Sequence, residues 1–250
     1  MVRGFYSAAS GVLTKQRTMN VISNNISNVT TTGYKSQATI ESSFREHLVS
    51  RRGVDPQRNI GPGSFMTVNI SEYTDHSQGT LEGTGRSVDM AILGEGFFLI
   101  DSEAHGEVLT RSGQFEVDED GDLILPGVGK VLDYRNREIN VGVNDFTVDK
   151  DGTIRVGRRE LTRLFIGLQD GDGQLLRVGK DTYLSEEGYR LLNDREFSVV
   201  QGYVEKSNVN LAEEMSKIIA TQSNYHSCAQ ILKIYDAINE ISVNRIGEVR

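Results

Sequence analysis

The chain has 250 residues, of which 37% are hydrophobic and 25% charged, and its formal net charge is −8 at pH 7. This length can bury a hydrophobic core and divide into two or more units, and the composition argues against wholesale disorder. No apolar run approaches the roughly 18 residues that span a bilayer, so membrane insertion is not expected. The acidic balance disfavours nucleic acid as a partner.

The charge is distributed unevenly along the sequence. Residues 1–35 contain four basic residues and no acid, whereas residues 36–204 carry a net charge of −11. The polar side of the basic segment consists of Ser and Asn rather than Lys and Arg, which favours contact with other helices over a membrane surface. Residues 1–17 are too polar for the apolar core of a cleaved signal peptide, so we expect that any export proceeds without one.

The first predicted element is a helix from Gly4 to Asn28. Its apolar residues recur at intervals of three and four, a row that Lys15 interrupts. The row consists of Phe5, Ala8, Val12, Met19, Ile22, Ile26 and Val29. Short amide and hydroxyl side chains on the polar side are mediocre helix formers, so we expect this helix to depend on packing against copies of itself. After the β-branched residues that follow, Gly33 is predicted to take the left-handed C′ position.

The next region, residues 36–75, is predicted to be a linker and extended segment. Residues 40–49 are ambiguous between a short helix and a strand. The stretch Ser50–Gly63 is rich in Gly, Pro and Arg, a composition typical of a surface loop. The alternation from Phe65 to Glu72 predicts a strand.

Residues 76–204 are predicted to form a β domain rich in hairpins. Ala91–Ile100 is expected to be one buried strand. The segments Phe115–Leu123 and Phe146–Ile154 share one layout, with Asp-Gly between strand-like flanks, and predict two similar hairpin turns. Residues 169–174 predict a further turn.

The last predicted element is a long helix within Ser207–Ile246. Asn210 and Glu213 have the spacing of a capping box. Two rows follow at helical spacing: the first contains Leu211, Met215, Ile218, Gln222, Tyr225, Ala229 and Leu232, and the second contains Ile231, Ile234, Ile238 and Ile241. A helix about 55 Å long with two such rows needs partners on more than one side. One alternative is an intrachain helical hairpin that buries one row.

The residue patterns do not predict catalysis or metal binding. The Asp-rich turn at Asp118, Asp120 and Asp122 has Gly121 at the wrong position for an EF-hand loop. The four histidines have no metal-ligand spacing, and no nucleophile motif accompanies them. Asp89 is expected to accept hydrogen bonds from backbone N–H groups, and Cys228 to be a small buried residue. We therefore expect no catalytic residue, cofactor or metal.

Several segments resemble the signatures of the bacterial flagellar rod and hook proteins. Ser7–Val12 and Met19–Lys35 resemble the N-terminal signature, and Ser207–Met215 with Thr221–Tyr225 resembles the C-terminal signature. The segments 77–81, 85–98 and 109–115 resemble the central part of the family. The length is similar to that of the proximal and distal rod proteins rather than the longer hook subunit, and the choice between the two rods stays open.

The resemblance implies an α+β fold in which residues 1–35 and 205–250 form a coiled-coil-like pair of assembly helices, joined by the linker 36–75 and the β-rich outer domain 76–204. It implies self-association, contact with other rod and hook subunits, export by the flagellar type III apparatus without a cleaved signal, and a place in the basal body. The expected assembly interface consists of Val12, Met19, Ile22, Asn24, Asn25, Ile26, Asn28, Gly33, Asn208, Asn210, Leu211, Met215, Ile218, Gln222, Tyr225 and Leu232.

The resulting hypothesis is a structural subunit of a torque-transmitting tube, whose ends stay loosely ordered until neighbours cover them. Two alternatives remain: a secreted β-domain binding module with helical oligomerisation ends, and a hydrolase with its residues gathered in the β domain. Deletion of residues 208–250 distinguishes a rod subunit from the first alternative. A rod subunit would lose assembly, whereas a binding module would keep its affinity for its ligand.

Overall fold

The computed structural model describes residues 2–43, 47–50, 59–63, 67–142, 145–170, 175–185, 188–193 and 196–247. These residues form two compact units. The helix unit comprises Met1–Ser27, Gln37–Asp75 and Asn210–Arg250, and the β unit comprises Asn28–Ser36 and His76–Val209. Two terminal helices and a strand-rich region between them give the predicted α+β class.

Both predicted helices are present in the helix unit. Helix α1 spans Val2–Ser27 and helix α2 spans Leu211–Gly247. The predicted cap is confirmed, because the Asn210 Oδ1 atom accepts hydrogen bonds from the backbone N–H groups of Ala212 at 3.1 Å and Glu213 at 3.4 Å. Neither described helix has the length and continuous apolar character required to cross a membrane.

A ribbon of two antiparallel strand pairs completes the helix unit. Its strands are β1 (Gln37–Ser43), β2 (His47–Ser50), β3 (Asn59–Gly63) and β4 (Thr67–Thr74), with β1 antiparallel to β4 and β2 antiparallel to β3. The ribbon contacts α1 through an ion pair of 2.7 Å between Lys15 and Glu41, which explains the charged residue in the apolar row.

The strands of the ribbon test two predictions from the sequence. The ambiguous segment 40–49 is strand where it is described. The loop predicted for Ser50–Gly63 is wrong at Asn59–Gly63, which forms β3; residues 51–58 lie outside the described residues. A strand that contains Pro62 is possible here because β3 pairs with β2 alone, which leaves one strand edge where no N–H is needed.

The β unit consists of sixteen short strands within its described residues. They are β5 (Leu81–Gly83), β6 (Met90–Gly94), β7 (Phe97–Ser102), β8 (Gly106–Thr110), β9 (Glu116–Val117), β10 (Leu123–Leu125), β11 (Gly129–Val131), β12 (Thr147–Val148), β13 (Thr153–Val156), β14 (Arg159–Arg163), β15 (Ile166–Gln169), β16 (Leu175–Arg177), β17 (Thr182–Ser185), β18 (Tyr189–Leu191), β19 (Phe197–Gln201) and β20 (Tyr203–Glu205). The succession of short strands predicted from the sequence is confirmed.

Strand β7 lies at the centre of the largest sheet. The order is β16-β17-β8-β7-β11-β10-β9, and β15 pairs with both β7 and β18. Smaller sheets are formed by β12-β13-β14, by β6 with β19, and by β5 with β20. The main core packs around Phe98, Ile100, Phe115, Leu123 and Ile166, which are fully buried.

The single strand predicted for Ala91–Ile100 is wrong, because the chain forms two strands there. Gly94 and Gly96 have φ angles of 104° and 109°, which end β6 and redirect the chain into β7. Buried apolar residues lie on both sides of this break, in β6 and in β7. The sequence signal for the break is the stretch Gly94-Glu95-Gly96 between them.

The predicted internal repeat is confirmed as two equivalent hairpins, β9-β10 and β12-β13. The N–H of Asp118 donates to the carbonyl of Asp122, and the N–H of Asp149 donates to that of Thr153. Gly121 and Gly152 have φ angles of 86° and 83°, as the Asp-Gly pattern requires. The turn predicted near residue 170 falls mainly on residues 171–174, which lie outside the described residues.

Candidate assembly surface

The two helices of the helix unit run in opposite directions and contact each other at several places along their lengths. A Cβ atom on Gly4 would overlap the Tyr235 hydroxyl, and one on Gly11 would lie 3.1 Å from the Cys228 Sγ atom. Near the other end, the Asn25 Nδ2 atom donates to the Glu214 carboxylate at 3.1 Å. Each pair of residue numbers has the same sum, so the register is constant over about three heptads.

The contacting residues define a seam with a seven-residue spacing. On α1 it contains Gly4, Gly11 and Asn25, and Thr18 occupies the remaining place in the spacing. On α2 seven buried or half-buried residues follow the alternation of three and four: Glu214, Ile218, Thr221, Tyr225, Cys228, Leu232 and Tyr235. Small side chains on α1 allow the larger side chains of α2 to approach its backbone.

Asn25 has a structural role inside the chain. Its side chain is 1% exposed and exchanges two hydrogen bonds with the backbone of Gln37, at 2.8 and 3.0 Å, besides the one to Glu214. One short amide therefore connects α1 to the start of β1 and to the first turn of α2. This accounts for an amide in a helix position where an apolar residue would be expected.

The helices also present a large apolar surface outside the seam. We define the outer row as Ile231, Ile234, Ile238 and Ile241 of α2, all of which are exposed, with Ile234 at 59%. Leu211, Met215 and Ile219 are exposed on another side of α2, and Tyr6 and Leu13 are exposed on α1. The helices of the single chain therefore leave a large apolar surface exposed to solvent.

The residues predicted for the interface fall into three groups. Asn24, Asn210, Leu211, Met215 and Gln222 are exposed. Ile22, Asn25 and Gly33 are buried inside the chain. The others are half-buried: Val12, Met19, Ile26, Asn28, Asn208, Ile218, Tyr225 and Leu232. The outer row is the part that the predicted interface left out, although its helical spacing is visible in the sequence.

A buried ionic cluster in the β unit joins segments that are far apart in sequence. We define the Glu205 cluster as Lys35, Arg111 and Glu205, whose exposed fractions are 1%, 4% and 0%. The Lys35 Nζ atom lies 2.5 Å from one Glu205 oxygen, and the Arg111 Nη1 atom lies 3.2 Å from the other. Burial lowers the pKa of Arg111, and the charge of Glu205 opposes that shift. One carboxylate thus compensates two buried cations.

Backbone contacts hold the same segments together. The N–H of Gly33 donates to the Glu205 carbonyl at 2.8 Å, and the N–H of Ser36 donates to the Asn208 side chain at 2.8 Å. Gly33 has a φ of 71°, so the predicted left-handed conformation is confirmed. Its predicted helical C′ position is wrong: α1 ends at Ser27, and glycine is needed because a Cβ would overlap the backbone of Ser112.

The other polar residues considered from the sequence have structural contacts. Asp118 accepts N–H groups of its own turn, and Asp122 binds Lys130 at 2.8 Å. His76 packs edge-on against Phe97 and Tyr183. Within the described part of the chain, no group of three or more acidic, His or Cys residues is arranged to hold a metal.

The expectation for Asp89 is wrong. Its carboxylate is buried, but neither oxygen accepts a hydrogen bond from the described residues, and the Arg86 Nη1 atom lies 3.8 Å away. The backbone of Asp89 makes the local hydrogen bonds instead: its N–H donates to the Arg86 carbonyl, and its carbonyl accepts from Gly202. Half-buried Cys228 lies in the helix seam rather than in a core.

Three family models match successive parts of the chain. Residues 5–35 match the flagella basal body rod protein model, residues 91–156 match the D1 domain of the flagellar hook protein FlgE/F/G, and residues 200–245 match the C-terminal model of the flagellar basal body rod FlgEFG proteins. The first and third matches contain the seam except for Gly4, and the second contains the centre of the β unit.

Curated relatives match over almost the whole chain. The flagellar basal-body rod protein FlgG of Buchnera aphidicola subsp. Baizongia pistaciae is 30% identical, covering 94% of this chain and 96% of the relative. FlgG of Bacillus subtilis is 29% identical, covering 98% and 99%, and FlgF of Caulobacter vibrioides is 26% identical over the full length of both. The chain therefore belongs to the flagellar basal-body rod protein family, and its function is that of a structural rod subunit.

Proposed function

We propose that this subunit polymerises into a tubular driveshaft by packing the exposed apolar surface of its terminal helices against neighbouring copies and other rod or hook subunits. The observation that supports the proposal most strongly is the outer row, four exposed isoleucines at helical spacing on a helix that already uses another side for α1. Burying each isoleucine contributes about 1.5–3 kcal/mol. Membership of the rod protein family does not favour the alternative of a secreted binding module.

Within the subunit, α1 and α2 form a coiled-coil-like antiparallel pair in this proposal. The seven-residue spacing of the seam and the constant register support it. The seam is a poor surface for assembly because its residues already contact one another. Assembly therefore uses the residues outside the seam, and the role requires no catalytic residue, cofactor or metal.

The proposal places the subunit in the rod of the basal body, after export by the flagellar type III apparatus. The family relationship supports this route. Loosely ordered helices in the free subunit would ease its passage and become fixed when neighbours bind. Hydrogen exchange on the free subunit checks the last point, and full protection of both helices would contradict it.

Replacing two outer-row residues, Ile234→Gln and Ile238→Gln, tests the proposed function. Because glutamine is a good helix former, the helix is expected to persist while two apolar contacts with neighbours are lost. We expect the double variant to be soluble and folded but to be almost absent from isolated basal bodies, and cells that make only this variant to be non-motile.

The matched control removes two exposed leucines from the β unit, Leu93→Gln and Leu176→Gln, which are 50% and 54% exposed. It deletes a similar apolar area away from the helices, so it should leave rods and motility unchanged. Normal rods in the isoleucine variant would overturn the proposed assembly surface.

The helix pairing has its own test in the variant Gly11→Cys. A Cβ at residue 11 would lie 3.9 Å from the Cys228 Cβ atom, within the range of natural disulfides. We expect mild oxidation of the purified variant to form an intrachain disulfide nearly completely, seen as a faster band on a non-reducing gel. Leu13→Cys is the control, because residue 13 is 63% exposed on another side of α1. Equal disulfide formation in the two variants would contradict the seam.

A further inference from the structure

The β unit carries an exposed basic turn that makes no ion pair with an acid among the described residues. Strands β13 and β14 are joined by a tight turn at Gly157 and Arg158, and both Arg158 and Arg159 are exposed. Neither arginine forms an ion pair with the residues that the structure describes. The nearby Arg155 differs, because Asp149 lies 2.9 Å from it. Glu160 follows Arg159 and therefore points to the other face of the strand.

A second turn in the same unit carries the opposite charge. Residues 118–122 contain four acids between β9 and β10. Asp118 and Asp122 are engaged by backbone N–H groups and by Lys130, respectively. Glu119 and Asp120 are exposed, and neither carboxylate has a cation within ion-pair distance in the described part of the chain. Two uncompensated acids thus match two uncompensated arginines in number.

We propose that the Arg158–Arg159 turn of one copy docks on the Glu119–Asp120 turn of a neighbouring copy. Guanidinium groups bind carboxylates through paired hydrogen bonds, so two arginines facing two carboxylates make a specific contact. Because the two turns occupy different places on one subunit, the contact is heterologous and repeats from copy to copy, as an open helical assembly requires. The inference rests on the proposed self-association and adds an interface in the β unit to the one on the helices.

Charge reversal tests the contact, because the four side chains are exposed and make no ion pair with the described residues. In cells that make only one variant, Arg158→Glu with Arg159→Glu should lower the amount of chain recovered in isolated basal bodies about tenfold, since attraction becomes repulsion. Glu119→Arg with Asp120→Arg should have a similar effect. Combining all four substitutions should restore recovery to within about twofold of the unsubstituted chain.

Three results would overturn the inference. Normal recovery of either double variant would show that its turn makes no such contact. Failure of the fourfold variant, with a folded subunit by circular dichroism, would show that the two turns do not meet. Loss in the arginine variant alone would assign that turn to another anionic partner. The outer-row variant reports separately on the proposed function, because its substitutions lie in α2 and leave both turns unchanged.

Discussion

Replacing Glu205 with glutamine is expected to lower the free energy of unfolding of the β unit by about 3–5 kcal/mol, the usual cost of leaving a buried charge without its partner. The substitution removes the carboxylate that faces both Lys35 and Arg111 and leaves two cations at almost zero exposure. A loss of this size lowers the thermal midpoint by roughly 10 °C. Urea denaturation of the purified subunit, followed by circular dichroism, measures it.

Two further variants make this measurement specific. Glu82→Gln removes an acid whose ion pair with Lys206 is about half exposed, so it should cost less than about 1 kcal/mol. Lys35→Met should cost less than Glu205→Gln, because Glu205 keeps Arg111 as its partner. If Glu205→Gln were no more destabilising than Glu82→Gln, the Glu205 cluster would not hold these segments together.

The sequence predicts elements well where local chemistry determines them. Asn210 caps α2 because its side chain is adjacent to the N–H groups that it binds. The two Asp-Gly turns form because glycine alone readily takes the required backbone angles. Local signals of this kind depend on a few neighbouring residues and so can be read from one sequence.

The seam shows where such prediction fails. Hydrophobic spacing places Leu211, Met215 and Gln222 in one row with Ile218, Tyr225 and Leu232, yet the first three are exposed and only the last three lie in the seam. The α2 seam also includes polar residues such as Glu214 and Thr221, and it packs against glycines and an amide of α1. A pattern based on hydrophobicity therefore mixes seam residues with exposed ones, because the contact also depends on side-chain size and hydrogen bonding.

The Glu205 cluster could not be predicted for a different reason. Lys35, Arg111 and Glu205 lie in three separate segments, and nothing near any of them distinguishes it from a surface charge. Their burial is a property of the tertiary fold. The turns at Glu119–Asp120 and Arg158–Arg159 are likewise visible in the sequence as charges, but their exposure and the absence of ion pairs with the described residues are not.

The central claim is that sister chains cover the apolar helix surface that a single chain leaves exposed. The most direct test places a cysteine at Ile234 in a Cys228→Ala background and measures its rate of reaction with a maleimide. A cysteine at Thr221, which is 9% exposed in the seam, is the control and should react more slowly than the cysteine at position 234 in the free subunit.

We expect the cysteine at position 234 to react rapidly in the free subunit and at least about tenfold more slowly in isolated basal bodies, because burial limits access of the reagent to the thiol. Equal, rapid reaction in the free subunit and in the assembled rod would contradict the claim, since it would show that no neighbour covers the outer row.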